Sequence, residues 1–142
     1  MYNDILLPVD LTEQDSWPKA LSTAIDYCKT FGARLHVMTV VPDYKMAVVG
    51  SYFPPDFESK HREEANRQIH EFVTQHIPEG IQVQHIVTEG TIYEQIVNTA
   101  KTVKADLIVM AAHRPELADY FLGPTAERVI RHASVSVLVV RE

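Results

Sequence analysis

The sequence predicts an α/β fold: a single domain in three layers, built on a doubly wound, Rossmann-like sheet of five parallel strands. Three observations predict it. Short runs rich in Val, Ile and Leu alternate with stretches of helical periodicity, the mark of βαβ units stacked around a parallel sheet. The run DLIVMAA, Asp106 to Ala112, is almost continuously apolar, as a central strand covered on both faces must be. The length of 142 residues holds one real core and is too short for two comfortable ones.

The elements follow in order. DILLPV, Asp4 to Val9, reads as the first strand. LSTAIDYCKTF sets Leu21, Ala24, Ile25 and Cys28 on one helical face, with Gly32 as the stop. Arg34 to Val41 is the second strand. Pro42 to Phe57 contains three prolines and a glycine, which predicts a long connection able to act as a lid. From Glu58 to His76 the residues Ala65, Ile69, Phe72, Val73 and His76 form one stripe of an amphipathic helix. IQVQHIVTE, Ile81 to Glu89, alternates as the third strand. The third helix opens with Thr91 and Glu94 at capping-box spacing and turns Ile92, Ile96, Val97 and Ala100 inward. After Asp106–Ala112, a short helix runs from Thr125 to His132, and VSVLVV, Val135 to Val140, is the fifth strand.

Composition narrows the function. With 46% hydrophobic and 23% charged residues the chain is an ordinary globular protein, and its net charge of -6 opposes a general grip on nucleic acid or anionic lipid. No apolar run reaches membrane-spanning length and no targeting segment opens the chain, so no membrane role and a cytoplasmic location are expected. The single cysteine, Cys28, excludes an intrachain disulfide and reads as a core residue.

In a doubly wound sheet the ligand sits beyond the carboxyl ends of the strands, where two neighbouring loops diverge. If strands one and four are neighbours, Pro8, Val9 and Asp10 meet Met110, Ala111, His113 and Arg114 there. The Asp10 carboxylate suits a ribose diol and equally suits a turn or helix cap. Ala111 and Ala112 allow close approach of a ligand or are plain packing. His113 and Arg114 can both donate to phosphate, Arg with paired bonds, or form a solvated pair. Gly123 precedes a helix whose first free amides, on Thr125 and Ala126, would face an anion.

Together ILLPVD, AAHRPELADYFLGPTAERVI and HASVSVLVVRE resemble the universal stress proteins over essentially the whole chain. That resemblance implies strand order 3-2-1-4-5 and binding of ATP (or AMP/ADP), with Mg²⁺ near the phosphates. It implies that Pro8, Val9, Asp10, Val40 and Met110 surround adenine and ribose, while Ala111, His113, Arg114, Gly123, Pro124, Thr125 and Ala126 face ribose and phosphates. It further implies a homodimer joined through the last strand, Val135 to Val140, an apolar edge that invites pairing. Three departures from the family motif stand out. Ala111 and Arg114 replace glycines, the spacer from Arg114 to Gly123 is one residue short, and Pro124 replaces a Ser and lacks an N–H. The shortened spacer with His-Arg-Pro resembles one branch of the family.

Other chemistry finds little support. His61 and His70 are nine residues apart and face opposite sides of their helix, so they form no metal pair. His36, His85 and His132 suit cap or surface roles. No nucleophile–base system is visible; for hydrolysis only His113 is a candidate base, so no catalytic residue is assigned and slow ATP turnover is the most expected. The alternative function is a dimeric interaction protein of the same fold that binds no nucleotide.

Overall fold

The computed structural model describes residues 1–41, 57–112 and 123–142, with the backbone alone at 57 and 58. Among the described residues nine elements alternate: β1 (Asp4–Pro8), α1 (Pro18–Phe31), β2 (Arg34–Val41), α2 (Phe57–His76), β3 (Val83–Glu89), α3 (Ile92–Thr102), β4 (Leu107–Ala111), α4 (Pro124–His132) and β5 (Ser136–Val140). The five strands are all parallel, in the order β3-β2-β1-β4-β5.

Two apolar clusters make the layers. On one side of the sheet, Ala20, Leu21, Ala24 and Cys28 of α1 and Ile69 and Phe72 of α2 pack on Ile5, Leu7, Leu35, Val37, Leu107 and Val109. On the other, Ile96 and Ala100 of α3 and Ala126 and Val129 of α4 pack on Leu6, Met38, Ile108 and Met110. The alternation of successive strand residues between the two faces produces this division. Because β1, β2 and β4 are covered on both sides, apolar residues fill both faces of their central stretches, as in Ile5–Leu7, Val37–Met38 and Leu107–Met110.

Helix α1 begins at Pro18, earlier than the apolar stripe from Leu21 suggests. Proline's fixed φ suits a first helical position, where no N–H is needed. The side chain of Glu142 receives the next amides, from Lys19 at 2.7 Å and Ala20 at 2.9 Å, so the last residue of the chain caps the first helix. Gly32, at φ 67°, closes α1 in the left-handed conformation with its N–H bonded to Cys28 O. Trp17 stands edge-on to Phe72 and His76 and ties the start of α1 to α2.

Some expectations need correction. The capping box does not form: Thr91 makes no side-chain cap bond, and Glu94 instead accepts from the Tyr93 hydroxyl at 3.3 Å. Ile92, expected inside, is 52% exposed because it opens the helix before the inward face has reached the sheet. His36 is not a cap or surface residue but is buried, its ring between Asp4 Oδ1 at 3.0 Å and Gln84 Oε1 at 2.8 Å. Arg34 completes this group by donating to Asp4 Oδ2 at 2.9 Å. Asp106 receives the amides of Asn3 at 2.9 Å and Asp4 at 3.1 Å. This network fastens the amino-terminal ends of β1, β2, β3 and β4, opposite the end where a ligand is expected. The Pro42–Phe57 connection lies outside the described residues except for Phe57, which begins α2.

Candidate functional site at the parting of two strands

Strand β1 is where the sheet order reverses, and its two neighbours hold it unequally. It is in register with β2 at five positions, from Asp4 opposite Arg34 to Pro8 opposite Met38. With β4 it is in register at two, Ile5 with Leu107 and Leu6 with Ile108. Beyond Leu6 the strands part.

Pro8 supplies a physical reason. The amide of Val9 donates to Met38 O at 2.8 Å, toward β2. Backbone groups of successive strand residues point to opposite sides, so the nitrogen of Pro8 faces β4. That nitrogen carries no hydrogen and cannot continue the ladder. The β4 side meanwhile keeps its pairing with β5 as far as Ala111 opposite Val140, and Ala112 adds a bond to Val140 O at 2.7 Å.

The described candidates divide around this parting. Val40, Met110 and Ala126 all belong to the cluster on the α3 and α4 side, and Pro8 shares the face of Leu6, two residues before it. Val9 and Ala111 pack on the α1 and α2 side. Asp10 is exposed just past the strand end, where its Oδ1 accepts from the Thr12 amide at 3.0 Å and the Thr12 hydroxyl at 2.6 Å. The turn role foreseen for Asp10 is therefore realised at Oδ1, while among the described residues nothing donates to Oδ2. The sequence signal for this, Asp followed two residues later by Thr, is that of an Asx turn.

Helix α4 supplies the anion-directed end. Gly123, at φ 87° and ψ 156°, is its N-cap, a backbone conformation that favours glycine, and Pro124 is its first residue. Gly123 has no side chain with which to cap this helix, and the amides of Thr125 and Ala126 fall among those that helix geometry leaves without an intrahelical partner. Pro124 removes one donor from the set. The helix dipole adds positive potential at the same end. His113 and Arg114 lie outside the described residues.

The chain matches the model of the universal stress protein family over residues 1–141. It belongs to the universal stress protein family. Universal stress protein G of Escherichia coli O157:H7 is 28% identical over 144 residues, covering 99% of this chain and 100% of that one. Among solved structures, the Methanocaldococcus jannaschii protein MJ0577 superposes with a TM-score of 0.82 at 26% identity, covering 100% of this chain and 97% of that one. The universal stress protein from Archaeoglobus fulgidus in complex with dAMP shares the fold, with a TM-score of 0.62 at 20% identity and 97% of each chain covered. The five-stranded order and the three layers described above are those of this universal stress protein fold.

Elsewhere in this universal stress protein, Cys28 and two histidines are in packing contacts. Cys28 is buried, and desolvation pushes its thiol pKa up to about 11, which suits packing and not nucleophilic attack. His70 meets His85 across α2 and β3 with ring centroids 5.4 Å apart, a contact that helix spacing alone did not reveal. Among the described residues no group of three or more His, Cys, Asp or Glu is placed to hold a metal, and no helix is long and apolar enough to cross a membrane.

Proposed function

We propose that this universal stress protein is a nucleotide-binding regulatory or signalling module that holds ATP (or AMP/ADP) and turns it over slowly at most. The observation that carries the reading is the parting of β1 and β4 after Leu6, on the same side as the amino end of α4. A switch point of this kind is the general ligand position of doubly wound sheets. The dAMP held by the Archaeoglobus protein supports the ligand class.

In this reading the base rests on Val40 and Met110, with Pro8, Val9 and Ala111 as walls. Asp10 Oδ2 accepts from the ribose. The phosphates meet the amides of Thr125 and Ala126 past the bend at Gly123 and Pro124, joined by His113 and Arg114. Mg²⁺ would ride on phosphate oxygens and water, with the Thr125 hydroxyl available to a metal-bound water, since no described cluster of acidic residues or histidines competes for it. The assembly proposed is a homodimer through β5, whose Val137, Leu138 and Val139 are half-exposed at the sheet edge.

The second reading, a dimeric interaction protein without nucleotide, is favoured by one observation: Pro124 stands where a phosphate donor is needed. A lost bond to a charged group costs roughly 1.5–3 kcal/mol, about ten- to a hundredfold in affinity. Isothermal titration with ATP and Mg²⁺ separates the two. Saturable heat supports the nucleotide reading, and no heat at millimolar ATP removes it.

A further inference from the structure

His70 of α2 and His85 of β3 take no part in the nucleotide reading, and both are exposed. Their rings meet with centroids 5.4 Å apart and planes inclined at 67°. Among the described residues neither ring has a hydrogen bond or ion pair of its own, so each keeps a nitrogen lone pair for a ligand.

The backbones that carry the two rings are fixed by packing. Ile69 and Phe72, on either side of His70 in α2, are buried in the cluster beneath the helix. His85 is in register with Val37 and stands two residues before Val87; both of these pack in the same cluster, so the His85 side chain projects toward α2. Exposed side chains change rotamer rapidly, so one nitrogen of each ring can be brought to a common point. Two imidazoles on one tetrahedral ion, each bound at about 2.0–2.1 Å, put their ring centres roughly 5 Å apart. The observed 5.4 Å is close to that. Arg67, three residues before His70, is paired with Glu64 and Glu71, so its charge does not stand against a cation here.

We propose that His70 and His85 form a two-histidine site for a borderline-soft divalent ion of the zinc and copper class, joining α2 to the edge strand β3. Imidazole nitrogen suits Zn²⁺, Cu²⁺ and Ni²⁺, whereas Mg²⁺ takes oxygen ligands and is left to the nucleotide phosphates. Among the described residues no further His, Cys, Asp or Glu joins the pair, so water completes the coordination. The site does not depend on the nucleotide reading.

The test is calorimetric titration of the full chain with Zn²⁺ alone, without nucleotide, on wild type, His70→Gln, His85→Gln and the double variant. Wild type is expected to take up one Zn²⁺ saturably and to melt higher with it than without it. Each single variant is expected to bind at least about tenfold more weakly, the scale on which even outer-shell changes weaken metal sites. The double variant should lose little more than either single one, because a chelate fails when one arm is removed. Both substitutions are on the surface, so zinc-free melting temperatures should stay within about 2 °C of wild type, which separates lost coordination from poor folding. Zn²⁺ uptake that survives either single substitution, losses that add as for two separate imidazoles, or no uptake by wild type at millimolar Zn²⁺ overturns the proposal.

Discussion

The carboxylate of Asp4 holds the ring of His36, with Oδ1 3.0 Å from Nε2, while its Oδ2 accepts from Arg34 at 2.9 Å. Burial alone would raise the Asp4 pKa, but the hydrogen bonds and charges of Arg34 and His36 outweigh it and hold the carboxyl below its ordinary value of 3.8. A carboxyl depressed in the folded state contributes stability that is complete above its unfolded pKa and fades as pH falls through its folded one. Asp4→Asn is expected to cost about 1–3 kcal/mol at neutral pH. That difference from wild type should shrink as pH drops below about 4. Urea denaturation at several pH values checks both, and a gap that stays constant with pH would show that the charge of Asp4 is not what matters.

Pro8→Ala gives residue 8 an N–H directed at β4, where the ladder now stops after Leu6. The strands can then close by one more bond, narrowing the parting. Nucleotide affinity is expected to fall several-fold while stability stays within about 1 kcal/mol, since an alanine suits a strand end without strain. Calorimetric titration and thermal melting read the two quantities separately. Unchanged affinity would mean that the strands diverge for reasons other than the missing donor.

Glu142→Gln keeps one of the two oxygens that accept from the amides of Lys19 and Ala20, puts a donor in place of the other and removes the charge at the start of α1. The expected loss is about 0.3–1 kcal/mol at low salt. Because the residue is exposed, the loss should diminish in high salt as the helix-end field is screened. Denaturation in both buffers measures it; equal losses would argue that bond geometry, and not charge, does the capping.

Cys28 is predicted to be unreactive while the protein is folded. With its pKa near 11, on the order of one thiol in a thousand is ionised at pH 8, and the sulfur is buried besides. A chromogenic disulfide reagent should label it only in denaturant. Fast labelling of the native protein would mean that α1 opens readily.

Much of this architecture was legible in the residues. β2 came out with both ends right because an apolar run between Gly32 and Pro42 leaves little choice. The strand order followed from the family resemblance, not from periodicity, which cannot say which strands are neighbours. Helix ends were less legible: Pro18 signals a first position that the apolar stripe ignores, and Thr91 with Glu94 satisfies a spacing rule without making the bond. His36 was misjudged because its partners Asp4 and Gln84 come from other strands, at 32 and 48 residues' separation. In the site, Pro8, Gly123 and the Asp10–Thr12 turn carry local signals, whereas the parting of β1 from β4 emerges only when neighbouring backbones are in place.

The most direct measurement is a backbone amide NMR titration with ATP and Mg²⁺, which locates the ligand residue by residue. Perturbations are expected at Val9, Asp10, Val40, Met110, Ala111, Thr125 and Ala126, with the Asn3, Asp4 and His36 end of the sheet unmoved. Shifts gathered at that opposite end, or none at saturating nucleotide, would contradict a binding site at the parting of β1 and β4.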